Sequence, residues 1–230
     1  MMHTLPRKQS YREFCSKIAP SKHPFLGITL PILHHYSRSL SAKEKKDWLK
    51  KIPHDLKNAE EGLVAGDILS IELKTTPTLL WWDLALEYLQ WCDSWNYIDN
   101  LFCAIKWIKI QKYSAIYQEL NPLLLKGLDS YHPFVLRFVI LTLSRYYPQN
   151  HQILLKRFED FSDTNEYYLK MGIAWALSEM YLGHEEMIYS FLEKKTLSPW
   201  IFSQTISKII SSKQVSPLLK EKIKKLRKAK

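Results

Sequence analysis

Apolar residues recur along this chain at the three- and four-residue spacing of an α-helix almost from end to end. Leu84, Leu86, Tyr88, Leu89 and Trp91 make one segment too apolar to be exposed all round, and Phe134, Val135, Phe138, Val139, Leu141, Thr142 and Leu143 make another. Ile201, Ile206, Ile209 and Ile210 mark a further stripe. Breaks punctuate this pattern: Pro20 to Pro24, Pro53, Thr75-Thr76-Pro77, Asn121-Pro122, His132-Pro133, Pro148 and Ser198-Pro199. Proline is tolerated at a helix start, where the first-turn N–H has no intrahelical acceptor anyway. The spacing therefore predicts roughly a dozen helices of about one to two dozen residues, joined by short turns and without a sheet. Only six glycines occur, too few for the tight hairpins of an all-β fold.

A succession of antiparallel helix pairs predicts an all-α solenoid, its concave face suited to a rod-shaped partner. No interdomain linker interrupts residues 1–230, so a single domain is expected, with a basic tail over about 220–230 that either touches phosphate or is simply solvated. A hydrophobic content of 46% argues against disorder. The net charge of +10 favours a polyanionic partner, nucleic acid or an anionic membrane surface, over the blander reading of an inert solubilising surface. No apolar run reaches the ~18 residues of a membrane span, and the basic segment from Met1 to Ser10 lacks the apolar stretch of a signal peptide. Three cysteines, Cys15, Cys92 and Cys103, form no CxxC pair; buried, reduced thiols in a cytoplasmic protein are expected.

The chemistry concentrates in Asp93-Ser94-Trp95-Asn96-Tyr97-Ile98-Asp99. On a helix Trp95 and Asp99, four apart, share one face, and an indole beside a carboxylate attracts a cation. A second indole, Trp175, lies in another helical run, Tyr167 to Leu177. Arg137 sits inside an otherwise apolar helix, so its charge must reach solvent, a carboxylate or a phosphate. Taken singly, Trp95 would be one more core tryptophan among eight, and Asp99 a solvated helix charge. Adjacent His34 and His35 point about 100° apart on a helix and do not chelate a metal well; phosphate or water contact suits them better.

In order along the chain, Leu26-Gly27-Ile28-Thr29-Leu30-Pro31-Ile32-Leu33, Glu60 to Gly66, Asp93 to Cys103, Phe134 to Ile140 and Tyr167 to Leu177 resemble successive motifs of the AlkD-like DNA alkylation repair family, the HEAT-like repeat DNA glycosylases. The resemblance runs from about Phe25 to the C-terminus. It implies a solenoid of HEAT-like antiparallel helix pairs forming a concave basic groove. It maps the family's two catalytic tryptophans and aspartate onto Trp95, Trp175 and Asp99, and its DNA-contacting arginine onto Arg137. His34, His35, Arg38 and Lys170 complete the expected DNA-binding set. The chain departs from the family at Ser94, where many members carry Asn, at Leu136, where some carry a second Arg, and at His34, where an Arg often stands.

The implied activity is hydrolysis of the N-glycosidic bond of N3- or N7-alkylated purines in double-stranded DNA, by a monomer without metal or organic cofactor and without a membrane partner. Alkylation makes the base a cationic leaving group, so no strong general acid is needed. A carboxylate near the sugar stabilises the oxocarbenium-like transition state and can position water. Two indole faces can hold the sugar and add cation–π attraction, about 2 kcal/mol or more when desolvated. The alternatives are a non-catalytic relative that binds bent or branched DNA through its backbone, and a protein-interaction scaffold, a common use of helical repeats.

Overall fold

The computed structural model of the protein describes residues 2–111 and 114–228. Among them are thirteen α-helices, three short 3-10 helices and no strand, as the spacing predicts. The chain divides into two compact units, residues 1–123 and 124–230. None of the described helices is long and apolar enough to cross a membrane.

The first unit contains α1 (Gln9–Ile18), α2 (Leu30–Ser39), α3 (Ala42–Leu49), α4 (Ala59–Glu72), α5 (Thr78–Trp91), α6 (Trp95–Ala104) and a 3-10 helix over Ile105–Gln111. Its core is α4, buried nearly all round, which touches α2, α6, α3 and α5. Two local caps start helices here. Ser41 and Glu44 form a reciprocal capping box at α3, and the Asn58 side chain accepts from the Glu61 N–H at α4. Gly62 on α4 permits a close approach, since a Cβ there would lie 2.5 Å from the Trp91 ring.

Two buried carboxylates on α4 hold the connections around it. Glu60 accepts from the backbone N–H groups of Leu26, Gly27 and Ile28 at 2.8–3.2 Å, which fixes the entrance to α2. Gly27 within that turn has φ +89°, a left-handed conformation that side chains resist, and a Cβ there would meet the Lys8 carbonyl oxygen at 2.4 Å. Asp67, two turns further along α4, ties together α2 and α6 as described below.

The second unit follows α7 (Ala115–Gly127), in which the boundary between the units falls. It contains α8 (Pro133–Tyr146), α9 (His151–Asp160), α10 (Tyr167–Tyr181), α11 (Glu185–Glu193), α12 (Pro199–Ser211) and α13 (Pro217–Lys228). Pro133 and Pro199 occupy first-turn positions of α8 and α12, as the punctuation predicts. Asn121-Pro122 is not the expected break: α7 runs through it. Proline forfeits a single helical hydrogen bond, while Tyr117, Leu120 and Leu124 keep one buried stripe across the position. Up to Lys228 the basic tail is a docked helix: α13 packs through buried Ile223 and Leu226, and Lys222 pairs with Glu186 at 2.6 Å, while Lys225 and Arg227 stay exposed.

Both units show the packing of a solenoid of helix pairs. Helices two apart in the sequence lie side by side, α2 on α4 on α6 in the first unit and α8 on α10 on α12 in the second. The intervening helices pack against these rows. Every predicted site residue belongs to one of the two rows: His34, His35 and Arg38 to α2, Trp95 and Asp99 to α6, Arg137 to α8, Lys170 and Trp175 to α10.

Candidate functional site

In the first unit, α6 begins at Trp95, so Trp95 and Asp99 stand one turn apart from its first residue onward. The N-terminal end of α6 is held from several sides. The Trp95 indole N–H donates to the Ile18 carbonyl at the end of α1 at 2.9 Å. Asp93 accepts from the Ser21 hydroxyl at 2.7 Å and the Lys22 N–H at 2.6 Å, and the Ser21 and Tyr97 hydroxyls are 3.0 Å apart. These bonds fix the indole's orientation while leaving Trp95 and Asp99 only half-buried.

Trp95 and Asp99 line the same cavity, of about 410 Å³. Its apolar walls come from Phe14 and Ile18 of α1, Phe25 and Ile28 of the following connection, and Leu63 of α4. Phe14 and Ile18 remain 55% and 44% exposed, so this wall is open to solvent. Tyr11 and Cys15 also face it; burial pushes the Tyr11 hydroxyl up to about 12 and raises the Cys15 thiol above its ordinary value. Both therefore stay protonated at neutral pH, and neither supplies an anionic nucleophile.

His34 and Asn100 line this cavity too, and both are held by Asp67. The Asp67 carboxylate, 5% exposed, lies 2.7 Å from His34 Nδ1 and accepts from the Ser37 hydroxyl at 3.2 Å and the Asn100 amide at 3.0 Å. The contact at Nδ1 fixes the ring. His34 is thus engaged by a carboxylate rather than by water alone, and the residue beside Asp99 is anchored to α4. Asp67 was not among the residues expected to matter. Its signal was the one used for Arg137: a charge within a wholly apolar helical run, here Leu63 to Leu69. His35 and Arg38 are exposed on α2.

In the second unit Trp175 is half-buried on α10. Its indole N–H donates to Glu179 Oε1 at 3.0 Å, and Arg145 Nε lies 3.4 Å from the other oxygen of that carboxylate. Arg137 is buried, at 5% exposed. Its guanidinium donates to the Tyr168 carbonyl at 2.8 Å and lies 5.8 Å from the Trp175 ring centroid. A peptide dipole and an indole face meet part of its charge inside the unit. Lys170 lies 5.1 Å from the Trp200 ring centroid.

The thiols also differ from expectation. None forms a disulfide, but only Cys92 is buried; Cys15 is half-buried and Cys103 is exposed. Cys103 lies on α6 one turn after Asp99, on the face that opens to the cavity rather than on the face packed against α4.

A family model described as DNA alkylation repair enzyme matches residues 5–209. Among solved structures, the chain is similar to a predicted DNA alkylation repair enzyme from Enterococcus faecalis, with a TM-score of 0.73 and 13% sequence identity. That likeness covers 91% of this chain and 99% of the other, and at such an identity it speaks to the fold. No curated protein matches the chain.

Proposed function

The chain belongs to the DNA alkylation repair enzyme family, and from that membership we propose that it is a glycosylase that hydrolyses the N-glycosidic bond of N3- and N7-alkylated purines in double-stranded DNA. The observation that carries this reading is the pairing of Trp95 and Asp99, one helical turn apart, on the wall of a single open cavity. An N-alkylpurine departs as a neutral base and takes the bonding electron pair with it. The sugar is left with oxocarbenium character. Asp99 stabilises that charge and aligns the water that adds to the anomeric carbon, and the water's second proton passes to solvent. The Trp95 face, fixed through Ile18, offers the cationic nucleotide an electron-rich surface. Trp175 is assigned the second aromatic contact. Arg137 is assigned the task of holding Trp175, and exposed His35 and Arg38, with Lys170 and His34, the contacts to the DNA backbone.

The test is release of free base. The pure protein is incubated with duplex DNA carrying N7-methylguanine, and the supernatant is assayed for 7-methylguanine. Enzyme-dependent release above spontaneous depurination is the expected result. Tight binding of branched DNA with no release would establish the non-catalytic alternative instead.

A further inference from the structure

Next to the cavity of Trp95 and Asp99 lies a second cleft of about 460 Å³ with the opposite chemistry. Arg38 of α2, Lys74 just past the end of α4, and Lys106 of the 3-10 helix after α6 bring three cations to its walls. All three side chains are exposed, and none makes an ion pair among the described residues. The cleft's one carboxylate, Asp67, is committed to His34, Ser37 and Asn100. Trp107 adds an aromatic wall, with Lys74 Nζ 5.1 Å from its ring centroid. Unpaired cations converging from three elements on a recess suit a phosphate, whose oxygens accept charge-assisted hydrogen bonds from ammonium and guanidinium groups.

The two recesses share a boundary, since His34, Asn100 and Cys103 line both. We propose that the basic cleft holds a phosphate group, the one flanking the nucleotide whose sugar sits against Trp95 and Asp99. Lys74 and Lys106 are then phosphate ligands alongside Arg38, and His34, fixed by Asp67, stands on the wall between phosphate and sugar. The assignment to a nucleotide of duplex DNA rests on the alkylpurine reading. The affinity for phosphate rests only on the cleft.

The experiment compares the full chain with the Lys74→Gln/Lys106→Gln double variant. Both residues are exposed, and circular dichroism checks that the fold is kept. Each protein is titrated with inorganic phosphate, with a 5′-mononucleotide and with a short undamaged duplex over a range of salt concentrations. For the duplex, the variant is expected to bind about tenfold more weakly, and the slope of log K against log salt is expected to shrink by about 0.9, the contribution of one neutralised phosphate on B-form DNA. The loss should be equal across sequences, because a backbone contact reads no base. Duplex affinity and salt slope unchanged in the variant overturn the proposal, as does a wild type that binds none of the three probes at low salt. Phosphate or mononucleotide binding that the variant loses, in a protein that binds no duplex, upholds the cleft and removes the alkylpurine reading.

Discussion

The two candidate tryptophans sit in contrasting surroundings. Trp95 is pinned at its N–H by a backbone carbonyl, and beside it Asp99 opens on a recess large enough for a ligand. Trp175 is pinned by a side-chain carboxylate, which Arg145 approaches in turn, and one of its neighbours is the buried guanidinium of Arg137. A backbone anchor leaves the local charge unchanged. A Glu179–Arg145 anchor beside Arg137 makes the surroundings of Trp175 electrostatically mixed. In the proposed glycosylase reaction the first unit receives the developing positive charge, and the second holds an aromatic surface in a set orientation. These are different tasks, and they fail differently when disturbed.

The sharpest way to break this comparison is Asp99→Asn. The exchange is nearly isosteric and removes only charge, so single-turnover release of 7-methylguanine should fall about 10²–10³-fold, the scale of a lost transition-state electrostatic contact. Duplex affinity should stay level or rise, because a carboxylate no longer opposes the phosphates. Wild-type release from Asp99→Asn would sink the division of labour.

Asp67→Ala comes next. It removes the carboxylate that joins His34, Ser37 and Asn100, leaving Ser37 with the Leu33 carbonyl, Asn100 with the Leu63 carbonyl and the His34 ring freed. Urea denaturation should show a loss of about 3 kcal/mol, with His34 part-exposed and its share discounted accordingly. A stability within 0.5 kcal/mol of wild type, roughly the range of an ordinary surface exchange, would show that the tie between α2, α4 and α6 is not structural.

Arg137→Ala should cost less, about 1.5–3 kcal/mol for the lost charge-assisted hydrogen bond to the Tyr168 carbonyl. In the folded variant, base release should decline more than duplex affinity, since the residue supports Trp175. The reverse ranking, affinity lost and release per bound complex kept, would return Arg137 to the phosphate role that the resemblance implies.

The smallest effect is a pH dependence away from the site. His151 is buried on α9, with Nε2 2.8 Å from the Ser144 carbonyl and Nδ1 buried without a partner, and the His184 ring lies 4.7 Å away. Burial holds its pKa below the ordinary histidine value. The unfolded chain then binds the proton more readily, so His151 contributes stability that is complete above the unfolded pKa of about 6.5 and is lost as pH falls through the lowered folded value. The melting temperature should drop between pH 7.5 and pH 5, and His151→Gln should flatten that drop. An identical pH profile for the variant would assign the effect to other groups.

Much of this was readable along the chain because it is local. Helix period, proline at first turns and the shared face of Trp95 and Asp99 depend on residues within a few positions of each other, and backbone geometry alone relates them. Even the misread Asn121-Pro122 step has a non-local cause: the stripe of Tyr117, Leu120 and Leu124 is held by packing that a proline rule does not see. The tertiary structure decided which faces meet. His34 and Asp67 are 33 positions apart, and so are Asp67 and Asn100; only the stacking of α2, α4 and α6 joins them. The cavity wall supplied by α1, the partner of Arg137 and the convergence of Arg38, Lys74 and Lys106 are of the same kind. A periodic sequence states which side of a helix is apolar. It does not state which neighbour covers that side, because many pairings bury similar area and the choice rests on side-chain shape and buried polar bonds summed over the whole core.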